Sequence, residues 1–285
     1  MDLLTITCDR DFEEIIIQAK SIQKYVSLCR HWIFINDSNI EKNIWIDSLT
    51  PFYTDHELKI VFTNDYINFN HTSGWITQQI WKCLAIDWIQ DDYIVLDSKI
   101  FFIKNVNLSE WNFEGSGYFT PLCMPTDSLP TISYYCNFYN LDIPYGFYSP
   151  MTPFIFRKKV IQEIRKILKD EIIFLKDIHP LNHSEFLLYN LFFNKLGLQF
   201  KHELNGGYTL TCNTYINNYK SSLLKPGIKS KFEDIRNVSN YYNLEMCGIH
   251  SSWYNNSTDY DRKMLNEWLN NLNINTPLMT KKILG

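Results

Sequence analysis

The sequence lacks the glycine-rich and catalytic signatures by which many enzyme classes are recognised. Its ten glycines form no G-x-G-x-x-G and no G-x-x-x-x-G-K-[ST], so the two common phosphate-binding loops are excluded. It also contains no G-x-S-x-G and no H-E-x-x-H, which argues against a nucleophile-elbow hydrolase and a zinc protease. Its chemistry must therefore be sought in less stereotyped arrangements of side chains.

Paired cysteines and a leader peptide are also missing. The seven cysteines are scattered and include no C-x-x-C pair, so we expect no zinc or redox motif. Unpaired thiols are typical of a reducing compartment. Met1 and Asp2 lead directly into a strand-like run without a basic leader region, which predicts no secretory signal. Together these features predict a cytoplasmic protein.

The chain has no excess of basic residues and no long apolar run. Lysine and arginine total 27 against 31 acidic residues, which gives a net charge of -4. A nucleic-acid-binding domain usually has a basic patch and a high pI, so we expect no nucleic-acid partner. A membrane span needs about 20 consecutive apolar residues, and no run approaches that length, so we expect no integral membrane segment.

Four short apolar runs in the N-terminal third predict buried strands, each followed by polar residues. These runs are Leu3–Thr7, Trp32–Ile35, Leu58–Phe62 and Tyr93–Leu96. Helical spacing of apolar residues follows the first run, and Gly74–Ile89 predicts a helix before the fourth. Strands alternating with helices predict an α/β fold with a parallel sheet covered on both faces. Ligands of such sheets bind at the carboxyl ends of the strands, where Thr7–Arg10 and Asp97–Lys99 would meet.

The C-terminal half is less regular. Strands are predicted at Gly117–Thr120, Phe154–Phe156 and Glu245–His250, and helices at Lys158–Leu168, Ser184–Leu196 and Thr258–Leu272. The proline- and tyrosine-rich stretch Pro121–Pro153 predicts long loops and short elements. Capping-box spacing predicts helix starts at Asp11 with Glu14 and at Thr258 with Asp261.

Four arrangements of polar residues are candidates for chemistry, and each also has a structural interpretation. Asp97 leaves a buried strand at the predicted binding edge, although a carboxylate there can simply cap the next turn. Gln79 and Lys82 lie on an otherwise apolar helix, where they either face a pocket or form a solvated stripe. Glu185 follows Asn182 at capping-box spacing, and His250 ends a strand-like run, so a structural role stays open for both.

Five stretches, taken in order, resemble the GT-A glycosyltransferases, and more closely a poorly characterised microbial and viral family of that superfamily. They are Leu3–Glu13 (LLTITCDRDFE), Gly74–Phe102, Met151–Phe156 (MTPFIF), Ser184–Phe193 (SEFLLYNLFF) and Gly248–Tyr254 (GIHSSWY). The resemblance covers most of the chain and implies one GT-A-type α/β domain with a mixed, mostly parallel sheet and helices on both faces. Residues 1–105 would form the nucleotide-binding half, and residues 106–285 the acceptor-side half with a C-terminal helix.

The resemblance also implies roles for the candidate residues. Those implied to bind substrate are Thr7, Cys8, Asp9, Arg10, Gln79, Lys82, Asp97 and Ser98. Those implied to act in catalysis are Lys99, Glu185 and His250. Asp97 would be the first acidic residue of the D-x-D motif, and Lys99 stands where most GT-A enzymes have the second. Glu185 would lie on the acceptor side, and His250 would meet the diphosphate or its metal.

Lys99 is the main departure from the superfamily pattern. The second carboxylate of a D-x-D motif helps to bind a divalent ion, whereas a lysine ammonium can contact phosphates directly. We therefore expect no metal site and no cofactor, because Lys99 disfavours a divalent ion such as Mn²⁺.

The resemblance implies transfer of a sugar from a UDP- or GDP-sugar to a hydroxyl of a glycan or another acceptor, as a hexosyltransferase does. Two alternatives stay open. One is a non-catalytic module that binds a nucleotide or glycan. The other is a nucleotidyltransferase, although that class usually has a glycine-rich loop after the first strand and Cys8–Asp11 contains no glycine.

Overall fold

The computed structural model describes residues 1–36, 38–67, 74–109, 118–119, 129–143, 147–148, 152–167, 185–198, 214–215, 246–248 and 258–284. Its strands are β1 (Asp2–Thr7), β2 (Arg30–Ile35), β3 (Glu57–Phe62), β4 (Tyr93–Asp97), β5 (Ile100–Phe102), β6 (Tyr118–Phe119), β7 (Phe147–Tyr148), β8 (Phe154–Phe156), β9 (Thr214–Tyr215) and β10 (Met246–Gly248). Its helices are α1 (Phe12–Tyr25), α2 (Lys42–Leu49), α3 (Gly74–Leu84), α4 (Leu129–Phe138), α5 (Lys158–Ile167), α6 (Glu185–Lys195), α7 (Asp259–Asn271) and α8 (Pro277–Leu284).

The largest sheet has five strands in the order β3-β2-β1-β4-β8. The first four are parallel, and β8 pairs antiparallel with β4. All six residues of β1 are buried, because neighbouring strands pair on both sides and helices cover both faces. In β3, Glu57 and Lys59 turn outward on the edge of the sheet, where charged side chains discourage pairing with another chain. The prediction of a mixed, mostly parallel sheet is confirmed.

Two apolar layers fill the space between this sheet and its helices. On one face, residues of α3, α4, α5 and α6 pack against Leu4, Ile6, Trp32, Phe34 and Val95. On the other face, Ile15, Ala19 and Ile22 of α1 and Trp45 of α2 pack against Leu3, Ile33 and Leu96. Successive residues of one strand point to opposite faces, so each apolar strand supplies both layers. The predicted coverage of both faces by helices is confirmed.

A third apolar cluster brings the two ends of the chain together. Leu265 and Leu269 of α7 and Met279 of α8 pack with Ile17 of α1 and Phe101 of β5. The predicted capping box at the start of α7 is confirmed, with Thr258 Oγ1 accepting from the Asp261 backbone N–H at 3.1 Å and Asp261 accepting in return. The C-terminal helices therefore lie against the element that follows β1.

Several local predictions need correction. Helix α4 lies within the stretch predicted as loops and short elements, and α2 and α8 had no sequence prediction. The capping box predicted at Asp11 and Glu14 is wrong, because Asp11 makes no side-chain cap hydrogen bond to the helix. Its carboxylate is instead contacted by Lys99, Ser98 and Arg10. Among the described residues, no helix is long and apolar enough to cross a membrane.

Candidate functional site

The carboxyl ends of β1 and β4 lie side by side at the centre of the parallel sheet, and we call this edge of the sheet the crevice. The two strands are adjacent, and their register places Ile6 beside Asp97. Strand order reverses at β1, since β2 lies on one side of it and β4 on the other. In open α/β sheets, ligands bind at such a switch point outside the carboxyl ends of the strands. Residues Thr7–Arg10 and Asp97–Lys99 leave their strands here, as predicted.

Asp97 has both of the features that the sequence left open. Its Oδ1 accepts the backbone N–H of Lys99 at 3.0 Å, so it caps the tight turn between β4 and β5. Its side chain is nevertheless 37% exposed, so the carboxylate is accessible from the crevice. Because the Asp97 carboxylate caps the turn, its orientation is defined, which suits it to accept hydrogen bonds from a ligand.

Lys99 and Asp11 form a buried ion pair beneath this turn. Lys99 Nζ lies 2.8 Å from Asp11 Oδ2, and the two side chains are only 9% and 2% exposed. Ser98 Oγ donates to the same carboxylate oxygen at 2.8 Å. Burial raises the pKa of Asp11, but Lys99, Ser98 and Arg10 outweigh it, so the pKa lies below its ordinary value. Asp11 is therefore an anion at neutral pH.

Lys99 keeps its positive charge for the complementary reason. Burial lowers the pKa of Lys99, but the carboxylates of Asp97 and Asp11 outweigh it and raise the pKa above its ordinary value. The ammonium lies 3.8 Å from Asp97 Oδ1 as well. The ammonium thus compensates two carboxylates, with Asp11 as its hydrogen-bond partner.

The residues of this crevice do not fit a divalent metal ion. The D-x-D motif of the superfamily that the sequence resembles implies such an ion. Here the ammonium of Lys99 lies beside Asp97 and would repel a divalent cation. Across the described ranges, no three His, Cys, Asp or Glu side chains are grouped closely enough to hold a metal.

The residues after β1 are held in different ways. The Asp9 carboxylate accepts from Ser38 Oγ and from the backbone N–H of Asn39 at 2.6 Å, so it ties the end of β2 to the end of β1. Arg10 is 71% exposed, and its Nε lies 3.3 Å from Asp11 Oδ1. The Arg10 guanidinium reaches solvent, whereas the Asp9 carboxylate anchors the loop after β2.

Thr7 and Cys8 follow one another at the carboxyl end of β1. Thr7 is fully buried, and its Oγ1 has no hydrogen-bond partner among the described residues. Cys8 is half-buried, and burial, followed by the charge of Asp11, raises the pKa of its thiol. The thiol therefore stays protonated at neutral pH and is unsuited to nucleophilic chemistry.

The other candidate residues form a second cluster between α3 and α6. Lys82 pairs with Glu185, which is 1% exposed, and its ammonium lies 4.8 Å from the centre of the Phe186 ring. Gln79 Oε1 accepts the backbone N–H of Glu185 at 3.2 Å. The Nε2 of Gln79 is buried, and within the described ranges it has no hydrogen-bond partner. In the part of the chain that the structure describes, no hydrogen bond or ion pair links this cluster to Asp97 or Lys99.

The predicted site residues thus separate into two groups, and one residue, His250, belongs to neither. Thr7–Arg10 meet Asp97–Lys99 at the crevice, and Gln79 and Lys82 meet Glu185 between helices. His250 lies outside the described residues. Asp11 was not predicted as a site residue, because its position at a helix start favoured a cap. Gln18, a polar residue on the apolar face of α1, was not predicted either.

Comparison with known proteins supports the fold and leaves the family open. No protein-family model matches the chain, and no curated protein matches it. A crystal structure of an active-site mutant of LgtC matches with a TM-score of 0.54 at 11% identity, covering 100% of both chains. The galactosyltransferase LgtC in complex with donor and acceptor sugar analogues matches with a TM-score of 0.49 at 13% identity, covering 87% of each chain.

A third match is partial. The bifunctional glycosyltransferase WbbM aligns with a TM-score of 0.48 at 12% identity, over 87% of this chain. The chain spans 45% of the length of WbbM. TM-scores below 0.5 are too low to carry a conclusion. The match to the LgtC mutant has the higher score, and at its low identity it shows a shared GT-A-type α/β fold alone.

Proposed function

We propose that this chain is a glycosyltransferase that moves a sugar from a nucleoside diphosphate to a hydroxyl of a glycan or another acceptor. The observation that carries the proposal is the crevice between β1 and β4, where an oriented, exposed Asp97 lies beside an ammonium and close to the residues after β1. This is the place where the fold class binds nucleotides. A UDP- or GDP-sugar is the donor that we expect there.

The charge distribution of the crevice supports a reaction without a divalent ion. Breaking the sugar–diphosphate bond leaves the electron pair and negative charge on the diphosphate. Asp9, Asp11 and Asp97 alone would repel that charge, but Lys99 and Arg10 offset two of these three carboxylates. Preorganised cations and dipoles stabilise a developing charge without a reorganisation cost. Lys99 and Arg10 would then do in part what a metal does in other GT-A enzymes.

Glu185 is the proposed acceptor-side residue. Lys82 and Gln79 hold it between α3 and α6, so its carboxylate has a defined orientation. A carboxylate so placed can accept a hydrogen bond from an acceptor hydroxyl. The Nε2 of Gln79 is buried beside it and has no hydrogen-bond partner among the described residues.

One observation favours the second candidate, a binding module without turnover. Two of the charged residues proposed to act on substrate already have a charged partner within the protein, Lys99 with Asp11 and Glu185 with Lys82. A module of this kind would bind the same donor and release it unchanged. The two functions therefore share a binding site and differ only in product formation.

The proposal places the protein in the cytoplasm. Cys8, Cys29, Cys83, Cys136 and Cys247 are free thiols. Free, buried cysteines persist in a reducing compartment. A nucleic-acid partner is not part of the proposal, because the net charge is -4.

A thermal-shift screen tests the donor site directly. The panel comprises the diphosphates of uridine, guanosine, cytidine, adenosine and thymidine and their common sugars, each with EDTA and with Mn²⁺. A ligand at about 100 times its Kd stabilises the folded state by roughly 2.7 kcal/mol, which is readily measured as a rise in Tm. We expect one nucleotide to raise Tm equally in EDTA and in Mn²⁺.

Two further results would change the conclusion. A panel in which no nucleotide moves Tm would remove the glycosyltransferase and binding-module proposals together. A shift that requires Mn²⁺ would retain the donor site and contradict the metal-free reaction. Mass spectrometry of the donor with an acceptor glycan library then separates the enzyme, which forms a glycosylated product, from the binding module, which forms none.

A further inference from the structure

Helix α1 is bonded to the turn that carries Asp97 and Lys99 through one buried side chain. Gln18 is fully buried, and its Nε2 donates to the backbone carbonyls of Asp97 and Ile100, both at 2.8 Å. These two carbonyls lie on either side of the Ser98–Lys99 turn. One residue therefore binds both ends of the turn from beneath.

Gln18 is itself held by a chain of buried polar groups. Its Oε1 is 2.8 Å from Thr5 Oγ1, which is 3.0 Å from His31 Nε2. On the opposite side of the imidazole, Nδ1 is 2.6 Å from the hydroxyl oxygen of Tyr53. Thr5 and His31 are fully buried, and Tyr53 is nearly so. Buried polar groups in one connected network are costly to disrupt and specify one arrangement.

The two backbone carbonyls that Gln18 contacts determine the donor and the acceptor of each hydrogen bond in this network. Carbonyl oxygens only accept, so the nitrogen of Gln18 must face them and its oxygen must face Thr5. The Thr5 hydroxyl then donates to Gln18, and its oxygen accepts from His31 Nε2–H. His31 Nδ1 is left unprotonated and accepts from the Tyr53 hydroxyl. The imidazole is neutral, as this requires, because burial and the nearby His56 lower its pKa to about 3.

We propose that Gln18, oriented by Thr5, His31 and Tyr53, is a positioning residue that holds the Asp97–Lys99 turn in its ligand-binding geometry. Its partner on the same helix acts alongside it: Ser21 Oγ accepts the backbone N–H of Phe102 in β5 at 3.0 Å. The role of the turn in binding rests on the proposed function, whereas the hydrogen-bond chain stands on its own geometry. Gln18 reaches a ligand only through the turn.

The test compares Gln18→Met with Ile22→Ala, a control on the same helix and in the same apolar layer. Ile22→Ala leaves a cavity and destabilises α1 without touching the turn. We expect Gln18→Met to speed amide hydrogen exchange of residues 98–102 selectively, whereas Ile22→Ala speeds it across the sheet. We expect nucleotide affinity to fall about tenfold for Gln18→Met, because two hydrogen bonds to the turn are lost, and to stay unchanged for Ile22→Ala.

A second pair of variants and a spectrum complete the test. Thr5→Val removes the hydroxyl and should weaken nucleotide binding, whereas Thr5→Ser keeps it and should retain affinity. This pair decides the question if Gln18→Met does not fold. Imidazole ¹⁵N NMR of His31 should show the proton on Nε2 at neutral pH.

Each outcome has a separate meaning. A proton on Nδ1, or identical exchange in Gln18→Met and Ile22→Ala, would overturn the positioning role. Unchanged nucleotide affinity in Gln18→Met, with binding intact in the unaltered protein, would overturn it too. If the unaltered protein binds no nucleotide, the proposed function fails, and the exchange and NMR results still decide whether Gln18 holds the turn.

Discussion

Replacing Lys99 by methionine should be strongly destabilising at neutral pH. The substitution keeps most of the apolar stem but leaves the Asp11 carboxylate, 2% exposed, without its ammonium partner. Breaking a buried ion pair by removing one member typically costs about 3–5 kcal/mol. Ser98 and Arg10 still contact Asp11, so we expect the lower end, about 3 kcal/mol of unfolding free energy.

The loss should also depend on pH in a defined direction. In the unaltered protein the pKa of Asp11 lies below its ordinary value, so its contribution to stability is present above that value and disappears as pH falls through the folded pKa. In Lys99→Met the ammonium no longer offsets burial, so the pKa of Asp11 should rise above its unfolded value. The protonated acid needs no cation, and the destabilisation should therefore shrink as pH falls towards about 4.

Urea unfolding at pH 7 and pH 4.5 measures both effects. The matched control is Lys42→Met, because Lys42 forms an exposed ion pair with Asp65, with side chains 54% and 50% exposed. Exposed pairs contribute less than about 1 kcal/mol to the free energy of unfolding, so Lys42→Met should cause only a small loss. The double variant Asp11→Asn with Lys99→Met should recover part of the loss, since no unpaired charge remains. A loss below about 1 kcal/mol that is equal at both pH values would refute a buried, coupled pair.

Three further predictions concern other residues. Asp97→Asn keeps the oxygen that caps the turn, so Tm should change little. Its nucleotide affinity, measured by titration calorimetry, should fall. A lowered Tm with unchanged affinity would show that Asp97 only caps the turn. Glu185→Gln should lower sugar transfer with donor affinity unchanged, and a parallel loss of donor affinity would move this residue out of the acceptor side. His31 has a folded pKa of about 3, lowered by burial, so protonation favours the unfolded state and stability should fall as pH drops below about 6.5. His31→Gln should flatten that acid limb in urea unfolding, and an unchanged limb would show that other groups cause it.

Local patterns in the sequence were sufficient for the sheet and for the place of the crevice. Strands such as Leu3–Thr7 are continuous apolar runs because helices cover both faces of a central parallel sheet. A polar residue directly after such a run must lie at the carboxyl edge, so Thr7 and Asp97 were placed correctly without a structure. Elements such as α4 were missed, because tyrosine- and proline-rich sequence has weak helical periodicity.

The sequence by itself thus determined the strands, their polar ends and the edge at which they meet, since these depend on residues adjacent in the chain. Only the tertiary structure decided the partners of the charged groups. Lys99 lies 88 residues from Asp11, and Lys82 lies 103 residues from Glu185, so neither pairing leaves a local pattern. Burial makes each pairing necessary, because a buried charge is stable only with a partner that the fold has to supply.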